Sequence, residues 1–129
     1  MPAAKQISVM IADDQASMRT LIRTSLEQIG FVDIREARDG EECLKGVITR
    51  PVNLVISDFN MPNLDGIGLL RSLRVHPPTS KIAFIMLTGR ADIELLKQAK
   101  EYGVNNYVVK PFTLAGLRER IEAVFGKLS

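Results

Sequence analysis

The sequence predicts an α/β fold, a doubly wound five-stranded parallel sheet carrying five helices. Short apolar runs alternate five times with segments whose apolar residues recur at the helical period of about 3.6. Two of the runs, Leu54-Val55-Ile56 and Ile82-Ala83-Phe84-Ile85-Met86-Leu87, are almost wholly apolar, as strands covered on both faces must be. Several runs also break abruptly into polar residues, which marks the carboxyl ends of strands where open α/β sheets bind ligands.

Residues 7–12 form the first strand, which ends in Asp13-Asp14. A helix starting at Gln15 or Ser17 turns Met18, Leu21, Ile22, Leu26 and Ile29 to the core, and Gly30 stops it. Residues 32–37 are a shorter second strand, followed by the turn signal Asp39-Gly40. The helix over 41–49 has Leu44, Val47 and Ile48 inward and closes before Pro51. Residues 53–57 are the central strand, and Asp58 opens the loop after it. The third helix, 66–75, buries Ile67, Leu70 and Leu73, and Pro77-Pro78 ends it. The fourth strand, 82–87, runs into Thr88-Gly89. The helix over 91–102 sets Ala91, Leu95, Ala99 and Tyr102 against the core, and Ile93, Leu96, Lys97 and Lys100 on a second, mixed face. The fifth strand, 106–109, ends in Lys110-Pro111, and Thr113 caps a last helix with Leu114, Leu117, Ile121, Val124 and Phe125 inward.

At 129 residues the chain is expected to be one domain with a proper core, and its 46% apolar and 25% charged residues are ordinary for a globular protein. A formal charge of +2 is too small to argue for nucleic acid or an acidic membrane as partner, and neither is expected. The single cysteine, Cys43, cannot form an internal disulfide; it reads as a buried apolar residue and fits a reducing, cytoplasmic compartment. No apolar run approaches the roughly 18 residues of a membrane span. The run from Met1 to Ser129 is expected to be a complete, monomeric single-domain protein.

In a parallel sheet Asp13-Asp14, Asp58, Thr88 and Lys110 all converge on one edge. Three carboxylates brought together repel unless a cation intervenes. Hard oxygen ligands beside an anion site suit Mg²⁺, which keeps several waters. Lysine supplies a point charge and threonine a hydroxyl donor. Together they are the parts needed to transfer a phosphoryl group onto an aspartate.

On the motifs Asp13-Asp14, Asp58-Phe59-Asn60-Met61-Pro62 with Asp65-Gly66, Leu87-Thr88-Gly89 and Lys110-Pro111-Phe112, the sequence resembles a response regulator receiver domain of the stand-alone chemotaxis type. The resemblance spans essentially the whole chain and implies the flavodoxin-like strand order 2-1-3-4-5. It implies that Asp58 accepts a phosphoryl group from a histidine kinase, so the protein is a phosphoacceptor and not an enzyme. It further implies that Mg²⁺ is held by Asp14 and Asp58, by the backbone carbonyl of Asn60, and by Asp13 through water or as support. Thr88 and Lys110 would meet the phosphoryl group, with a cis Lys110-Pro111 bond, and Tyr107 would be the switch aromatic that follows Thr88. The output face would comprise Tyr107 with Ile93, Leu96, Lys97 and Lys100, docking a flagellar motor switch protein; phosphate-sink and relay roles share the same site.

The plainer readings are local. Asp13-Asp14 alone suits a helix N-cap, Asn63-Leu64-Asp65-Gly66 is turn and cap chemistry, and His76 is a loop residue. Arg19, Arg23, Arg118 and Arg120 read as solvated helix faces, while Arg90 with Asn60 flanks the phosphoryl position. A phosphatase of the haloacid dehalogenase type needs an acid two residues after its nucleophile, where this chain has Asn60. A flavin-binding protein needs a hydroxyl- and glycine-rich phosphate loop where this chain has Asp13-Asp14. A phosphorylation-independent interaction module would not need the full set of phosphorylation residues, and a DNA-reading regulator would need a further segment after the last helix.

Overall fold

A computed structural model describes residues 2–89 and 93–129 of the chain. Among the described residues the strands are β1 (Val9–Ala12), β2 (Ile34–Ala37), β3 (Leu54–Asp58), β4 (Ala83–Thr88) and β5 (Asn106–Val109). All neighbours pair in parallel, in the order β2-β1-β3-β4-β5. The helices are α1 (Ala16–Ile29), α2 (Gly40–Thr49), α3 (Gly66–Val75), α4 (Ile93–Glu101) and α5 (Leu114–Phe125). None of them is long and apolar enough to cross a membrane.

Both faces of the sheet are covered, which is why its central strands are apolar at successive positions instead of alternating. Val9, Ile11, Leu54, Ile56, Ile85 and Leu87 join Ile22 and Leu26 of α1 and Leu117 and Ile121 of α5 in one buried cluster. Met10, Val55, Phe84 and Met86 point the other way and meet Cys43 and Val47 of α2, Leu69, Leu70 and Leu73 of α3, and Ala99 of α4. Burial pushes the Cys43 thiol up to about 12, so it is an inert core group.

The helix ends follow the sequence signals. Gly30 ends α1 at φ 123°, a backbone that only glycine adopts freely. Asp39, Asp65 and Thr113 each cap a helix by accepting a backbone N–H, from Glu42, Gly68 and Gly116 respectively. Asp39 also accepts from the Asn63 side chain at 2.7 Å. These two bonds, the backbone one larger, hold its carboxyl below the usual carboxylate range. Arg74, at the end of α3, donates to the carbonyls of Ile82 at 2.7 Å and Gly103 at 2.9 Å, which fixes the far end of α4 against the start of β4.

Some expectations are corrected. Leu21, Ile48 and Leu114 are exposed, not inward. A helix lying on a sheet buries only a narrow stripe. Leu21 and Ile48 each sit one residue, and so about 100°, from the buried Ile22 and Val47, and Leu114 opens α5. The first strand starts at Val9, after a short 3-10 turn over Ala4–Gln6, and the second begins at Ile34 because Val32 is solvent-facing. Asp58 and Thr88 are the last residues of β3 and β4 instead of loop residues. Ala91, the first member of the inward stripe proposed for the fourth helix, and Arg90 lie outside the described residues, while Leu95 and Ala99 are buried.

The Asp39-Gly40 turn bears on the site because it anchors the loop after Asp58. Gly40 N–H donates to the Leu64 carbonyl at 3.1 Å, and a Cβ on Gly40 would collide with that same oxygen. Gly40→Ala is therefore expected to lower stability by about 1–3 kcal/mol, read as a lower urea midpoint with an unchanged slope.

Candidate functional site

The carboxyl ends of β1, β3, β4 and β5 meet at one edge of the sheet, and a cavity of about 490 Å³ opens there. Asp14, Asp58, Asn60, Thr88 and Lys110 line it, together with Gln15, Phe59, Gly89 and Leu95. Asp13, Asp14 and Asp58 each present a carboxylate oxygen, and these atoms all lie within 4.8 Å of one another. Residues 45 apart in sequence are brought together only because parallel strands end on the same side.

Each acid is placed differently. Asp58 is 7% exposed, and its Oδ1 accepts a hydrogen bond from Lys110 Nζ at 3.0 Å. Asp14 is exposed at the rim. Asp13 is 0% exposed. Its Oδ1 accepts from Gln15 N–H at 2.9 Å, while its Oδ2 is buried with no protein partner. Burial pushes the Asp13 carboxyl above the ordinary carboxylate range. The Gln15 N–H pulls it down and Asp58 pushes it up, with Lys110 and Asp14 acting more weakly in opposite senses.

The ends of the strands are laced by backbone bonds. Phe59 N–H donates to Leu87 O at 3.1 Å and Lys110 N–H to Thr88 O at 2.7 Å. The Lys110–Pro111 bond is cis, as expected. Thr88, 4% exposed, lies on the same sheet face as Phe84 and Met86 by the strand's period of two. Tyr107 stands opposite Met86 on β5 and packs against that cluster, so it is the diagonal neighbour of Thr88. Its ring lies under the Arg120 guanidinium, whose carbon is 4.7 Å from the ring centroid. Arg120 is thus partly covered and not a freely solvated residue.

On α4, Ile93 is 68% exposed and Lys97 and Lys100 are exposed, but Leu96 is half-buried. The mixed face therefore presents one large apolar side chain and not two. The residues that sequence reasoning missed at the site are Gln15 and Leu95. Gln15, two residues after an aspartate at a helix start, follows the local side-chain-to-backbone pattern that could have flagged it. Leu95 was assigned to the core stripe, and its place on the first turns of α4 also brings it to the cavity.

The donor set fits a hard divalent cation. Its clustered side chains are all carboxylates, it includes a buried oxygen with no partner among the described residues, and its mutual repulsion a cation would relieve. Among the described residues that line the cavity, Lys110 is the one cation beside the three acids.

Residues 9–122 match the family described as the response regulator receiver domain. The chain is 48% identical over 128 residues to a probable chemotaxis protein CheY of Rhizobium etli, covering 99% of each. It is 35% identical to chemotaxis protein CheY-3 of Vibrio cholerae, over 96% of this chain and 95% of that one. Among solved structures it resembles a chain of the CheX–CheY–BeF3–Mg²⁺ complex of Borrelia burgdorferi. That match has a TM-score of 0.86 and 26% identity, over 92% of this chain and 89% of the other. The five-stranded sheet in the order 2-1-3-4-5, its acidic edge and these likenesses agree, and the chain belongs to the response regulator receiver domain family of two-component signalling.

Proposed function

We propose that this protein is a phosphorylation-driven chemotaxis regulator whose phosphoacceptor is Asp58. The observation that carries the reading is the pairing of Asp58 Oδ1 with Lys110 Nζ at 3.0 Å, beside a second buried carboxylate with an unpartnered oxygen. Asp58 is the reactive group of that pair because it opens onto the cavity, while Asp13 lies beneath it.

In this reading a carboxylate oxygen of Asp58 attacks the phosphorus of a phosphohistidine on a histidine kinase. The phosphorus–nitrogen bond breaks, the imidazole nitrogen leaves with the electron pair and takes a proton from solvent, and an acyl phosphate forms on Asp58. Asp13, Asp14 and Asp58, with the Asn60 carbonyl, would hold Mg²⁺. When bound, the ion neutralises charge on the phosphoryl oxygens. Lys110 would neutralise a phosphoryl oxygen with the ammonium that it now offers Asp58. The protein acts as a phosphoacceptor that assists transfer onto itself and is not an enzyme working on a separate substrate.

Phosphorylation adds about −1.5 to −2 charges and three acceptor oxygens. The Thr88 hydroxyl, at the end of the adjacent strand, gains a charge-assisted bond by moving toward them, and Tyr107 fills the space it leaves. The readout is then a change in how β5, α4 and α5 present themselves. The chemotaxis names of the relatives support a target in chemotaxis; in this reading it is a flagellar motor switch protein in the cytoplasm, docking on Ile93, Leu96, Lys97, Lys100 and Tyr107. A phosphate-sink role would use the same site with a different surface.

Two outcomes are expected. Acetyl phosphate with Mg²⁺ should modify the protein at Asp58, read by peptide mass spectrometry, and Asp58→Asn should abolish the modification while keeping the fold. Label persisting at another residue in that variant would overturn the nucleophile assignment. Mg²⁺ should raise the melting temperature of the wild type. Asp13→Asn should itself raise the melting temperature of the metal-free protein, because a buried repelling charge is gone, and should largely remove the further gain from Mg²⁺. An Asp13→Asn protein that melts lower than wild type without metal would count against the repulsion.

A further inference from the structure

Arg19, on the first turns of α1, is not the solvated residue its helix position suggests: its side chain is 15% exposed. Its Nη1 donates to the backbone carbonyl of Asp13 at 2.7 Å. Its Nε donates to Glu36 Oε1 at 3.2 Å. The other Glu36 oxygen accepts from Arg23 Nε at 2.6 Å, and Arg23 Nη2 donates to the Ile34 carbonyl at 2.9 Å. Glu36 sits on β2 opposite Ile11, two residues before Asp13. The network therefore braces the arginine between an edge strand and the end of β1.

The polar atoms of Asp13 show what the brace does. Its N–H donates to the Ala37 carbonyl at 3.1 Å. Its carbonyl accepts from Arg19 and its Oδ1 from Gln15 N–H. Among the described residues, Oδ2 has no partner. The carbonyl held by Arg19 belongs to the peptide joining Asp13 to Asp14, and the plane of that peptide sets the direction in which Asp14 leaves the strand. Releasing it frees both acids to turn.

We infer that Arg19 is a positioning residue for the cation site: by holding the Asp13–Asp14 peptide it presents the two carboxylates in the geometry a small octahedral cation requires. The inference rests on the Mg²⁺ reading above. Arg19 itself touches neither the cation nor the phosphoryl group. Two effects of its removal oppose one another. Loss of a positive charge beside the Asp13 backbone favours every divalent cation, although Glu36 already offsets part of that charge. Loss of the peptide's anchor disfavours Mg²⁺, which demands near-ideal octahedral ligands, far more than Ca²⁺, which accepts irregular ones. The second effect wins for Mg²⁺.

The test uses the full chain as wild type, Arg19→Met and Arg19→Lys, with Mg²⁺ and Ca²⁺ affinities from calorimetry and amide exchange at Asp14 without metal. Arg19→Met keeps the apolar stem; Arg19→Lys keeps the charge but loses the two-armed fork. Both variants should bind Mg²⁺ about three- to tenfold more weakly, the lower range of losses for groups behind a metal ligand, and Ca²⁺ within about twofold of wild type. The Asp14 amide should exchange faster in both. Mg²⁺ binding in Arg19→Met that is unchanged or tighter would overturn the inference, as would equal losses for the two ions alongside a lower melting temperature. A wild type that binds no Mg²⁺ would overturn the metal reading itself. Faster Asp14 exchange with unchanged Mg²⁺ affinity would leave Arg19 a structural brace only and so overturn its positioning role.

Discussion

Among the described residues, three carboxylates and one ammonium share the carboxyl edge of this sheet, and the rest of the site follows from that imbalance. Parallel strands deliver Asp13, Asp14, Asp58 and Lys110 to one place whatever their separation in sequence. Buried charges of like sign are costly, and the fold does not relieve the cost by itself: Asp13 is fully covered, has one oxygen without a protein partner, and is pushed toward its neutral form by burial. A group arranged in this way suits a ligand that carries positive charge; in the proposed reading that ligand and Lys110 then hold an anion together. Local destabilisation at the edge is tolerated because both faces of the sheet beneath it are closed by apolar clusters.

The same geometry gives the site a route outward. Thr88 ends β4, and Tyr107 sits diagonally across on β5 with its ring beneath Arg120. In the proposed reading, a change at Asp58 reaches the surface along this line, through one hydroxyl and one ring. The far end of α4 is fixed by Arg74 to the Gly103 carbonyl. At the opposite end of α4, Leu95 lines the cavity.

Much of this was legible in the sequence because it depends on strong, local signals. The polar residues that interrupt apolar runs mark strand ends unambiguously, so Asp13, Asp14, Asp58, Thr88 and Lys110 could be placed on one edge before any coordinates. The cap at Thr113 and the stop at Gly30 follow from cap chemistry, while Asp39, read as a turn residue, also caps α2. Leu21 and Ile48 were misplaced because neighbouring apolar residues on a helix both fit a broad stripe, and only the sheet's actual shape decides between them. Arg19 was missed for a different reason. Composition shows a charged residue on a helix face, but its partners are a glutamate on another strand and a backbone carbonyl, and neither leaves a mark in the spacing. Asp13 and Asp14 were read as a pair, and burial of one with exposure of the other emerges only when Gln15 and Ala37 are in place.

The central claim is that charge at Asp58 controls the β4–β5 face through Thr88 and Tyr107. Amide spectra of the protein titrated with beryllofluoride in saturating Mg²⁺ test it most directly. The account predicts shifts that begin at Asp58 and Lys110 and extend to Thr88, Tyr107 and α4, while β2 and the end of α2 stay unmoved. Shifts confined to the residues that line the cavity would contradict it.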